Sequence, residues 1–92
     1  MEPVTGAMPK LELITKADCH LCTDARAVVA QVAEELGLSW NELRIDGDPA
    51  LTARYGEEIP VVLVDGVTRD FWHIDPIRLR AVLTRSMGVA GN

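Results

Sequence analysis

The chain has 92 residues, of which 48% are hydrophobic and 25% charged, with a formal net charge of −5. That length supports one domain with a modest core, and the acidic balance argues against nucleic acid or an anionic membrane surface as partner, since both call for a basic face. No apolar run approaches the roughly 20 residues of a membrane span, and the start lacks the basic n-region and apolar h-region of a secretory signal, so the expected compartment is cytoplasmic.

In chain order, residues 1–9, with Pro3, Gly6 and Pro9, read as a flexible N-terminal tail; residues 10–87 read as one domain and 88–92 as a flexible C-terminal tail. Lys10 to Thr15 is the first strand. From about Cys19 to Leu36, Cys22, Ala25, Val29, Val32 and Leu36 recur at three- and four-residue steps and form one apolar helical stripe, which Gly37 stops in a left-handed conformation. Between Ser39 and Asp46, Leu43 and Ile45 alternate with Glu42 and Arg44, the period of a strand. Asp48-Pro49 pairs a capping carboxylate with a proline at the first helical position, opening a short helix that ends at Gly56. Val61 to Val64 is a continuous apolar run suited to a strand buried on both faces. Asp65-Gly66 is a two-residue hairpin signal, so Val67 to Trp72 returns antiparallel. Asp75-Pro76 repeats the cap and opens a last helix with Leu79, Val82 and Leu83 inward, Arg78, Arg80 and Arg85 in water, and Gly88 as its stop. The order β-α-β-α-β-β-α predicts an α/β fold, a four-stranded mixed sheet in a three-layer sandwich.

Cys19 and Cys22 are the only cysteines, spaced by two residues at the head of the first helix. Residues three apart on a helix are neighbours, close enough for a disulfide. The pair reads as a thiol–disulfide redox site. The unpaired N–H groups of a helix N-terminus lower a cysteine pKa and favour the thiolate, the form that attacks disulfides. Cys19 is placed to be the attacking sulfur and Cys22, on the apolar stripe, the resolving one. Two other readings stay open: a structural core pair, or half of a metal site completed by His20, His73 or carboxylates, with a zinc ion or cluster shared between chains. His20 and Asp18 tune Cys19 in opposite senses, a charged histidine favouring the thiolate and a neighbouring carboxylate opposing it, unless Asp18 is held as the helix cap. Lys16 offsets Asp18 or is a solvated loop residue.

Together, the C-x-x-C after the first strand, Ile59-Pro60-Val61 entering the third strand and the β-β-α ending resemble the thioredoxin-like superfamily. Within it the chain is most similar to the glutaredoxin-like branch of small bacterial proteins, over roughly residues 10–86. The resemblance implies a dithiol–disulfide oxidoreductase with Cys19 as nucleophile and Cys22 as resolving cysteine. It further implies a cis Pro60 beside the sulfurs, Ile59 offering backbone groups to a bound peptide or glutathione, and Lys16 meeting a glutathione carboxylate. The implied substrates are protein disulfides or glutathione mixed disulfides, with no tightly bound cofactor and glutathione as co-substrate. The implied electron donor is glutathione or a thioredoxin-reductase-like flavoenzyme, and the expected state is a monomer. The sequence departs from glutaredoxins in having His20-Leu21 rather than Pro-Tyr between the cysteines. Where they carry a Gly-Gly pair and a polar-Asp step, it has Phe71-Trp72-His73-Ile74-Asp75. Only Asp75 matches, as a γ-glutamyl-binding residue or simply as a helix cap. The competing functions are a non-catalytic partner-binding module docking through Ile59, Phe71 and Trp72, and a metal or Fe–S carrier using the two thiolates.

Overall fold

The computed structural model describes residues 8–87. Its elements are β1 (Leu11–Thr15), α1 (His20–Leu36), β2 (Asn41–Arg44), α2 (Pro49–Tyr55), β3 (Val61–Val64), β4 (Val67–Phe71) and α3 (Pro76–Ser86). The expected C-terminal tail with Gly88, and residues 1–7 of the expected N-terminal tail, lie outside the described residues. Of that N-terminal tail, Met8 is exposed and Pro9 buried.

The local signals act as their chemistry dictates. Asp48 caps α2 by accepting the Leu51 N–H, and Asp75 caps α3 by accepting those of Ile77 and Arg78, each followed by proline. Gly37 ends α1 at φ 71°, where its N–H reaches the carbonyls of Ala33 and Glu34. Asp65 and Gly66 both take positive φ, 53° and 81°, as a tight β3–β4 hairpin turn requires.

The sheet runs β2-β1-β3-β4. β1 pairs with β2 in parallel and with β3 antiparallel, and β3 pairs antiparallel with β4. Alternation within the two central strands divides the core. Leu11, Leu13, Val62 and Val64 pack under α1 and α3 against Ala25, Val29, Val32, Leu79 and Leu83. On the other face Ile14, Val61 and Leu63 meet Ile45, Ile59 and Tyr55, with Leu51 of α2 packed alongside. Every residue of β3 is buried, as its unbroken apolar run predicts. Each fully buried Leu or Val contributes about 1.5–3 kcal/mol, so these two layers dominate the stability.

Three boundaries differ from the sequence-based expectation. β2 is shorter than Ser39–Asp46 because its ladder to β1 covers only Asn41–Arg44, with one further bond from the Ile45 N–H to the Thr15 carbonyl at 3.0 Å. β4 stops at Phe71, one residue before Trp72, which turns out of the strand at φ 62°. α3 is capped at Met87, within the described residues. Arg78 and Arg80 are also not simply solvated: Arg78 donates to the buried Asp70 at 3.2 Å and Arg80 to Glu35 at 2.7 Å.

A polar clamp ties β1, α1 and β2 together. The buried Thr15 hydroxyl donates to Glu42 Oε2 at 2.6 Å, and Arg26 reaches both carboxylate oxygens, at 2.8 and 2.7 Å. Hydrogen bonding from Arg26 comes first among the causes holding the Glu42 carboxyl down at about 2, and Thr15 assists. Because the folded-state value lies below the ordinary one of 4.5, the clamp stabilises the fold fully above that pH and is lost as pH falls through about 2. Glu42 keeps a quarter of its side chain exposed, so Glu42→Gln is expected to cost about 1–2 kcal/mol at pH 7 after solvent screening. The gap from the parent chain should close as pH is lowered from 4.5 toward 2. Urea unfolding across that range measures it, and a gap independent of pH would contradict the clamp.

Candidate active site

The register gathers the site at one end of the sheet. Ile14 lies opposite Val61, Val61 opposite Phe71, and Thr15 opposite Arg44. The loop leaving β1, the residues entering β3, the corner leaving β4 and the end of β2 therefore share that end.

Cys19 is not the first helical residue but the N-cap of α1, in extended conformation, and the Cys22 N–H donates to its Sγ at 3.1 Å. The structure thereby corrects the cap role considered for Asp18, which sits one residue too early. At φ 54° Asp18 occupies a left-handed turn and is exposed. Asp46 instead steadies the loop, accepting the Ala17 N–H at 3.2 Å. Cys19 and Cys22 form a disulfide, with Cα atoms 5.2 Å apart. The two sulfur-bearing residues differ in burial: Cys22 lies inside the second core layer, whereas Cys19 is half-buried and packs against its rim.

The same layer holds Ile59 and Val61, and Pro60 between them is fully buried. The Ile59-Pro60 bond is cis, as the resemblance implies. The Pro60 carbonyl accepts the Trp72 N–H at 2.9 Å, joining the two loops.

Beside Cys19 opens a cleft of about 500 Å³ whose lining includes Lys16, Asp18, His20, Thr23, Arg26 and Arg44. Lys16, Asp18 and His20 thus meet at Cys19, as expected from sequence, and all three are exposed. Thr23 and Arg26 were not singled out, although a signal existed: positions 19, 23 and 26 follow the helical i, i+4, i+7 rule and share one face. Arg44 arrives through the β1–β2 register, which no local pattern encodes. Two of the three cations in this cleft are already paired, Arg26 with Glu42 and Arg44 with Asp46 at 3.0 Å. Lys16 has no carboxylate within ion-pair reach among the described residues.

Asp75 is committed to its helix: Oδ1 accepts the Ile77 N–H at 2.9 Å, and its own N–H donates to Asp70 Oδ2 at 3.0 Å. Asp70, which sequence reading passed over, is buried. It also accepts the Phe71 N–H at 3.0 Å and the Arg78 guanidinium, so both ends of the 71–75 corner hang on one carboxylate. Nothing in the order of residues around Asp70 marks it, since an aspartate in a strand gains its value only from partners that fold brings to it.

Among the described residues, no helix is long and apolar enough to cross a membrane. The structure is similar to that of a protein from X. campestris, target XcR50: 35% identity over 82% of this chain and 96% of that one, TM-score 0.69. It is similar also to thioredoxin 1 from Thermosipho africanus, at 12% identity, covering 90% and 99% of the two chains, TM-score 0.65; at that identity the fold alone is shared. By sequence the chain is 37% identical to the uncharacterized protein Rv0508 of Mycobacterium tuberculosis, covering 85% of this chain and 86% of the relative. The family model described as glutaredoxin-like domain (DUF836) matches residues 10–84. With its thioredoxin-like sheet and its cysteine pair at the head of α1, the chain belongs to the glutaredoxin-like domain (DUF836) family.

Proposed function

We propose that the chain is a dithiol–disulfide oxidoreductase acting on protein disulfides or glutathione mixed disulfides. The observation that carries this reading is the inequality of the cysteine pair: a half-buried Cys19 whose sulfur receives a helix N–H, and a buried Cys22 one turn below it. An N–H aimed at sulfur favours the thiolate, and burial of the second sulfur keeps it from outside disulfides.

The reaction balances as two displacements. The Cys19 thiolate attacks one sulfur of the substrate disulfide; a new S–S bond forms as the old one breaks, and the departing thiolate takes up a proton. Cys22 then loses its proton and attacks Cys19 Sγ, releasing the second substrate thiol and closing the Cys19–Cys22 disulfide. Two electrons pass from protein to substrate, and a thiol donor, glutathione or a thioredoxin-reductase-like flavoenzyme, returns them. Ile59 presents its backbone to the substrate chain as an added strand. Lys16 receives an anionic group, His20 and Asp18 tune the poise, and Asp75 serves as the α3 cap rather than as a substrate contact. No tightly bound cofactor enters the cycle. A cytoplasmic monomer fits it, because that compartment keeps such dithiols reduced.

In the reduced protein, iodoacetamide should modify Cys19 at least about tenfold faster than Cys22, and urea unfolding should erase the difference. Peptide mapping after timed quenching reads it; equal native rates would remove the assigned roles. Cys19→Ser is expected to lower disulfide turnover by about a thousandfold or more. Cys22→Ser should instead hold the substrate as a mixed disulfide on Cys19, visible by intact mass. Turnover surviving in Cys19→Ser would overturn the reading.

A further inference from the structure

The corner after β4 presents a surface that the two displacements do not use. Trp72 and Phe71 are both exposed, 51% and 40%, and their rings meet edge to face with centroids 4.9 Å apart. Trp72 sits at φ 62°, a conformation that costs a bulky residue about 1–2 kcal/mol and that glycine would adopt freely. The backbone path therefore does not account for the tryptophan; its ring does something the chain keeps at a cost. That ring is also held in place, since its Nε1–H donates to the Glu57 carbonyl at 3.2 Å while the main-chain N–H is bound by Pro60. Between this corner and the end of α2 lies a cleft of about 610 Å³ lined by Phe71, Trp72, Arg54, Glu57 and Glu58. Neither glutamate has an ion-pair partner among the described residues. Arg54, which lines the same cleft, has its guanidinium engaged over the Tyr55 ring, 5.2 Å from its centroid.

An aromatic wall beside two unpaired carboxylates is complementary to a cation carried on an apolar stem. We propose that this cleft is a substrate subsite for a lysine or arginine side chain of the polypeptide being reduced. The Trp72 face and the carboxylates of Glu57 and Glu58 take the charge, and Phe71 takes the alkyl stem. The subsite rests on the oxidoreductase reading for why a polypeptide comes to this end of the sheet, and it deepens that reading by selecting basic protein segments.

The binding is testable without turnover. Three cysteine-free peptides, identical but for a central Lys, Gln or Glu, are titrated into the oxidised protein while the indole N–H resonance of Trp72 is followed by NMR. The lysine peptide should move that resonance and bind at least about fivefold more tightly than the glutamine peptide, with the glutamate peptide weakest. Trp72→Ala and the double variant Glu57→Gln with Glu58→Gln should each abolish the preference for lysine, as judged by chemical-shift changes elsewhere at the site. The double variant changes only exposed side chains and keeps the test decisive if Trp72→Ala does not fold. Equal binding of the three peptides, no binding, or an unchanged preference in the double variant would overturn the subsite. Turnover of bis(2-hydroxyethyl) disulfide by the parent protein is measured alongside. Its absence would sink the oxidoreductase reading while leaving the peptide result to stand by itself.

Discussion

The antiparallel pairing of β1 with β3 sets the geometry on which the cysteine-bearing end of the sheet depends. Ile14 opposite Val61 means that the chain leaves β1 toward Cys19 at the level where it enters β3 from Pro60. The neighbouring pairings, Val61 with Phe71 and Thr15 with Arg44, bring in the aromatic corner and the second strand at that level. This register is held from both sides. Leu11 and Leu13 are committed to the layer under α1 and α3, and Ile14 to the layer that contains Cys22. A slip of one residue would exchange those layers and separate cysteine from proline.

Much of this architecture was legible because the chain marks its boundaries with local chemistry. Asp48-Pro49, Asp75-Pro76, Gly37 and Asp65-Gly66 each act within a few residues of themselves, and each does what its local pattern predicts. The four apolar residues of β3 likewise announce a strand with no solvent face. The cysteine pair was legible for the same reason, since spacing and helix position suffice. What escaped is non-local. Thr15, Arg26 and Glu42 meet only because three elements converge, with 27 and 16 residues separating the bonded partners. Asp70 and the conformation of Trp72 are of this kind too. Asp18 illustrates a subtler miss: the sequence pattern pointed to its carboxylate as the first cap, and the helix took the neighbouring sulfur of Cys19 instead.

The acidic net charge of the chain conceals an uneven surface. Lys16, Arg26 and Arg44 gather around Cys19, while Glu57 and Glu58, without an ion-pair partner among the described residues, stand with Arg54 beside Trp72. Most of the basic side chains at the first cleft are already occupied by Glu42 and Asp46, so their role is as much to fix strand and loop as to attract. The Glu42 clamp in particular couples the stability of the β1–β2 edge to the helix that bears the cysteines.

In the proposed reaction the sulfur that caps α1 is also the atom that changes covalent partner. The first turn of the helix therefore takes part in a thermodynamic cycle with the redox state: whatever free energy the Cys22 N–H contributes on meeting a thiolate rather than a disulfide sulfur is gained as helix order and, because it stabilises the reduced form, lost as reducing power. An aspartate cap would have left those two quantities independent. By using cysteine there, the chain makes the fraying of a single helical turn and the willingness of the pair to give up electrons two readings of one equilibrium.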